Sequence, residues 1–208
     1  SFANNQNNIA WGPGVGEIVG RHTIIPISDT SKDLYGNFRK NCPNGSGYSV
    51  QLGNENAGAE AEALFYTYNI PSNVTNFKIL YHFAIVFQAP PTITHHIIGE
   101  KPRFQARVIN VTDNIVISCV SFDFYSTYGL PGFQISPKST ASDTIIYKDW
   151  TPETLDLAEY AGKTIRLEFI SSDCTRGGHF GYAYVDVGSN CNNVFEGTTK
   201  CSGNNSLT

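Results

Sequence analysis

The sequence has no methionine, only 15% charged residues, and just 14 Lys and Arg with no basic run among its 208 residues. With a net charge of −4 and no clustered positive surface, it offers nucleic-acid phosphates nothing to be recognised by. No stretch approaches the roughly 20 apolar residues of a membrane-spanning helix. The first residues lack both the basic and the apolar region of a signal peptide, as expected of a mature or excised fragment. Enzyme signatures are missing too: there is no Gly-x-Ser-x-Gly elbow, phosphate-cradling glycine loop, His-Glu-x-x-His or thiol-nucleophile context. Asp123 with Glu168 or Asp173 would do glycosidase work only if the carboxyls stood about 5 to 10 Å apart across a sugar. Sequence spacing does not establish that distance, and acids on strands are ordinarily solvated. The expectation is a protein that is not an enzyme.

What is present is Asn, Ser, Thr, Gly and Tyr, the polar but lightly charged balance of secreted β-proteins. Hydrophobic residues at 40% over this length suffice for one well-buried core, and so for a single all-β domain. The five cysteines, 42, 119, 174, 191 and 201, fit neither a Cys-x-x-Cys metal site nor a redox motif. Disulfides in an oxidising compartment are the simplest account. Cys119 with Cys174, near strand ends, and Cys191 with Cys201, closing a short C-terminal loop, are the expected pairs. Cys42 is then free or paired elsewhere, with Cys42 to Cys191 as an alternative.

Alternation of apolar and polar residues dominates the chain. It predicts strands over 48–52, 64–70, 77–87, 104–109, 115–124, 144–150, 164–170 and 179–187, separated by turn signals such as Pro71-Ser72-Asn73 and Leu130-Pro131-Gly132. Phe77, Ile79, Tyr81, Phe83, Ile85 and Phe87 place a large apolar side chain at every second position, as a central strand requires. The fold class expected is all-β, a two-sheet antiparallel sandwich with little helix. Residues 57–64 allow a turn of helix or a strand carrying its Glu residues outward, and Tyr160 would close a single helical turn. The first 40 residues look irregular, anchored by Trp11. After Val187 the composition turns to Gly, Ser, Asn and Thr, so residues 1–190 form the module and 191–208 a linker-like tail toward a further domain.

The run from Asp173 to Asp186 joins a glycine-rich polar turn to an aromatic strand. Phe180, Tyr182, Tyr184 and Asp186 share one face, expected to lie between the sheets; His179, Gly181, Ala183 and Val185 share the other. The small face either opens a ligand site or packs closely against a neighbour. His95 and His96 lie in a loop between two strong strands and suit a metal or a hydroxyl-rich ligand. If His95, His96, His179 and His82 converge with Arg176 and Asp173, they form a polar sugar pocket rimmed by aromatics such as Tyr182 or Tyr125. Asp186, with Glu17 and the oxygens of Asn4, is a candidate calcium cage, though a plain turn-capping role also accounts for it. Asn44, Asn73, Asn110 and Asn204 each begin an Asn-x-Ser/Thr triplet.

Several of these stretches form a recognisable series: Ser49-Val50-Gln51-Leu52-Gly53-Asn54, Gly58-Ala59-Glu60-Ala61-Glu62, Tyr81 to Phe87, Lys101-Pro102-Arg103-Phe104, Pro131-Gly132-Phe133-Gln134, Tyr147-Lys148-Asp149-Trp150 and the 173–186 run. In that order, over about residues 45–190, they resemble a module of large Bacteroidetes surface proteins, several of them gliding-motility adhesins. More loosely, the chain is similar to the jelly rolls of carbohydrate-binding modules and MAM-type domains. The resemblance implies a non-catalytic jelly roll in a multidomain surface protein, often followed by immunoglobulin-like repeats. It also implies a structural calcium whose last-strand ligand maps onto Asp186. The chain departs from the pattern in lacking a Glu near Phe2 and in carrying Ala89-Pro90, with the histidine displaced to His95 or His96, where the family has Asp-Pro and then His.

The expected function is therefore a secreted or surface-displayed adhesion module binding extracellular polysaccharide or another surface ligand through loops at one end. His95, His96, Arg103, Asp173, Arg176, His179 and Tyr182 would supply the contacts. The alternatives are a structural spacer of an adhesin and an accessory domain of a polysaccharide-degrading enzyme.

Overall fold

Phe77 to Phe87 form the axis of the molecule. In the computed structural model, which describes residues 17–89 and 96–188, this stretch from Lys78 onward lies in the fourth of eleven strands among those residues. They are β1 (His22–Pro26), β2 (Tyr48–Leu52), β3 (Ala61–Asn69), β4 (Lys78–Ala89), β5 (Arg103–Asn110), β6 (Ile115–Val116), β7 (Phe122–Tyr125), β8 (Gln134–Ile135), β9 (Thr144–Asp156), β10 (Thr164–Ser172) and β11 (Gly181–Val187). They build a six-stranded sheet ordered β1-β2-β11-β4-β9-β8 and a five-stranded sheet in which β3-β10-β5-β6 run in order and β7 also pairs with β5. Every pairing is antiparallel. The chain is an all-β two-sheet sandwich, and among the described residues helix is confined to 3₁₀ turns, one of them Ala158–Tyr160. No helix among them is long and apolar enough to cross a membrane.

Alternation explains the core. Ile79, Tyr81, Phe83, Ile85 and Phe87 of β4 face Phe104, Ala106 and Val108 of β5 and Ile165, Leu167 and Phe169 of β10 in one buried cluster. Phe83 stacks on Phe104 at 5.7 Å between ring centroids, and Tyr81 meets Phe169 edge-on at 5.1 Å.

The aromatic face of β11 points the other way from expectation. Ala183 and Val185 enter the core between the sheets, whereas Phe180, Tyr182 and Tyr184 join a second buried cluster on the outer side of the larger sheet. The cause is the connection 27–47, which lays Phe38 and Tyr35 over that outer face. Asp33 fixes it: Oδ2 accepts from the hydroxyls of Tyr182 and Tyr184 at 2.8 and 2.9 Å, while Oδ1 accepts the Tyr35 and Gly36 N–H groups. Trp150 Nε1 adds a 2.7 Å bond to the Arg39 carbonyl. The central strands β11 and β4 of the larger sheet are thus buried on both faces. Gly181 serves close packing and not ligand approach, because a Cβ there would stand 2.7 Å from the Ser172 carbonyl oxygen and 2.9 Å from Pro102 Cβ.

Local departures have local causes. The expected strand 115–124 breaks into β6, a 3₁₀ turn over Ser118–Val120, and β7. Ser121 Oγ holds the break by donating to the Ile117 carbonyl and accepting the Val108 N–H. β9 runs past Pro152 to Asp156; β8 pairs only with Ile146 and Tyr147, so the proline lies on a stretch that needs no second partner. The first 40 residues include β1, and β3 buries Glu62 where an outward Glu was expected.

Candidate functional site

Strand register brings the start of β11 and the ends of β4 and β10 to one end of the sandwich, with the connections 53–60, 96–102 and 173–180 beside them. Asp173 staples these connections. Its Oδ1 accepts the Gly181 N–H at 3.0 Å and its Oδ2 the Gly58 and Glu60 N–H groups at 2.9 and 3.3 Å. Burial nevertheless pushes this carboxyl up to about 6. Beside it, buried Glu62 is bonded to Arg21, which also reaches Glu60 at 3.1 Å. Desolvation outweighs the Arg21 charge and pushes the Glu62 carboxyl up to about 7. Asp173, expected to touch ligand, has both oxygens occupied by the backbone.

The turn that follows is built around sulfur. Cys174 N–H donates to the His179 carbonyl, Gly177 N–H to the Cys174 carbonyl, and Gly178 N–H to Cys174 Sγ at 3.3 Å; Gly177, at φ +70°, takes the left-handed conformation that closes the turn. From the connection after β4, His96 places Nε2 3.6 Å from Cys174 Sγ, and its ring meets His179 edge-on at 4.9 Å. Sγ and one nitrogen of each imidazole all lie within 4.8 Å of one another. The two segments are clamped together by Thr175 N–H on the Glu100 carbonyl and by the 2.9 Å ion pair of Arg176 with Glu100. Burial, and then the neighbouring His96, lower the His179 pKa, so its imidazole is neutral near pH 7.

Cys174 is a free, fully buried thiol, which corrects the expected bond to Cys119. Cys119 is disulfide-bonded, but with Cys42 and Cys174 both free its bond goes to neither. The turn commits Cys174 Sγ to Gly178 and His96 in place of a second sulfur. His96, His179 and Arg176 gather at this end; His82 does not, being paired in register with Asp186 farther along β4. His95, Asn4, Cys191 and Cys201 lie outside the described residues.

Tyr182 is corrected as well: at 2% exposed and bonded to Asp33, it offers no ring face to a sugar. Asp186 is buried, its oxygens accepting the Ser46 N–H at 2.8 Å and the Ser49 hydroxyl at 3.2 Å, and Glu17 accepts the Ile24 N–H.

Arg103 belongs to a different surface. In the smaller sheet, core residues alternate with an outer row in which Tyr125 and Asp123 of β7, Arg103, Gln105 and Arg107 of β5, Glu168 and Arg166 of β10, and Phe65 of β3 adjoin in register. Arg103 grips Asp123 through two guanidinium nitrogens and lies 4.8 Å over the Tyr125 ring, while Gln105 Nε2 donates to Asp123 at 3.0 Å. Glu168 bonds Arg166 at 2.7 Å and Arg107 at 3.4 Å, and Arg166 lies 5.7 Å over Phe65. Asp123 and Glu168 are thus each paired with arginine. The row was signalled in sequence by the alternation Arg-x-Gln-x-Arg over 103–107 and Arg-x-Glu over 166–168, whereas Asp33 sits in a connection without periodicity.

No family model matches the chain, and no curated protein is significantly similar to it.

Proposed function

We propose that the chain is a non-catalytic adhesion module, secreted or displayed at the cell surface, and that the outer row of the smaller sheet takes up extracellular polysaccharide. The observation that carries this reading is the contrast between a larger sheet whose central strands are covered on both faces and a smaller one whose outer face presents planar polar side chains and aromatic rings in register. Arginine, glutamine and carboxylates donate and accept in pairs, as vicinal hydroxyls require, and their mutual bonds hold them in place before ligand arrives, lowering the entropy lost on binding. Four strands at about 4.8 Å spacing make a platform about 14 Å across. That is broad enough for a short run of sugar rings.

The spacer reading keeps one specific support: the carboxylates of the row are already matched by arginines, as in a surface built only to stay soluble. A glycan array probed with the wild type and with Arg107→Ala/Arg166→Ala separates the two. The adhesion reading expects saccharide binding that weakens at least ~10-fold in the double variant. A folded wild type that binds no glycan at high concentration leaves the spacer.

A further inference from the structure

From the cluster at the loop end we infer a zinc(II) site made by Cys174, His96 and His179, independent of any glycan bound to the sheet face. One buried sulfur and two imidazole nitrogens lie within 4.8 Å of one another, drawn from two connections far apart in sequence. Zinc bonds of about 2.3 Å to sulfur and 2.05 Å to nitrogen, at the tetrahedral angle, put those ligand atoms about 3.5 Å apart. Cys174 Sγ and His96 Nε2 are 3.6 Å apart. The remaining separations close with side-chain shifts of about 1 Å.

Three further observations point the same way. The Gly178 N–H aimed at Sγ is the outer contact that stabilises a metal-bound thiolate. His179 Nδ1 is buried and has no hydrogen-bond partner among the described residues, so the ring has donor or acceptor capacity that none of them uses. The Thr175–Glu100 and Arg176–Glu100 contacts fix the two ligand segments against each other without touching the ligand atoms.

Thiolate with imidazole selects a borderline or soft cation over calcium or magnesium. Binding displaces the Cys174 thiol proton to solvent, so occupancy falls with acid. Three protein ligands leave a fourth position for water or a donor atom of a bound molecule.

The test equilibrates the full chain with zinc(II), dialyses it against metal-free buffer and measures metal per chain by mass spectrometry, with the cobalt(II) form read by absorption. One zinc per chain is expected, together with a thiolate-to-cobalt charge-transfer band. Cys174→Ser and His96→Ala should each weaken zinc binding at least ~10-fold, and Cys42→Ser should leave it unchanged. His96 is partly exposed, so its variant retains the fold, and the cobalt spectrum needs no variant at all. Less than about a tenth of an equivalent of zinc, cobalt bound without the charge-transfer band, or occupancy indifferent to both ligand variants would overturn the site. Retention of copper(I) with release of zinc would overturn the choice of metal.

Discussion

The two sheets share one core and treat their outer faces in opposite ways. The larger sheet is capped by the connection 27–47, and its outer face is aromatic, tied down by a single carboxylate. The smaller sheet turns outward a row of arginines and acids that bond to one another. Both faces carry aromatic rings and charge, but on the capped face the charge serves the fold, whereas on the other each ion pair keeps at least one partner within reach of water. Removing a charge should therefore cost stability on the first face and little on the second.

Asp33→Ala should break the capped face most severely. It strands two buried tyrosine hydroxyls and two backbone N–H groups at about 1 kcal/mol or more each, a loss of at least about 3 kcal/mol. At roughly 2–4 °C per kcal/mol for a chain of this size, Tm falls by roughly 6–12 °C. Denaturant melts check this, and a loss below about 1 kcal/mol would mean that the connection is held by its rings alone.

Between the faces, at the loop end, Glu62→Gln should separate charge from shape. The folded-state pKa of Glu62, about 7, lies above its ordinary value of 4.5, so the folded chain holds a proton that the unfolded chain has lost between those limits. Stability from this group is therefore present at the acid end of the window and lost as pH rises through 7. Relative to Glu62→Gln, the wild type should gain a few degrees in Tm as pH falls from 8 to 5; a constant difference would show that Arg21 compensates the charge fully.

On the open face, Arg166→Ala should be the mildest. Its side chain is 40% exposed, and the buried Glu168 keeps Arg107 at 3.4 Å when Arg166 is removed, so the stability change stays within about 1 kcal/mol, measurable only by denaturant titration. A larger loss would make this face structural and remove the contrast.

Period-two patterning carried the fold further than it carried the site. Ile79 to Phe87 in β4 and the ends of β2 were legible because alternation against a core is a property of the strand itself. The direction of β11 was not: both of its faces are buried, and which one meets the other sheet depends on Asp33, some 150 residues earlier in the chain. Cys174 illustrates the same limit. Its residue type suggested a disulfide, yet its partner is set by a turn that aims Gly178 N–H at the sulfur and by a histidine from a distant connection. Arg103 was singled out for the loop end, but strand register places it on the sheet face.

The position of β11 has a mechanical consequence. It is the last strand in sequence among those described, yet it lies inside its sheet, bonded along Ala183–Val185 to β2 and along Gly181–Val187 to β4. A pull along its axis does not peel it from an edge one bond at a time. Its hydrogen bonds run across the direction of force and bear the load together, in shear, from both neighbours. Extraction would have to break two ladders at once, so tension reaching the domain through β11 meets the part of the sheet best placed to resist it.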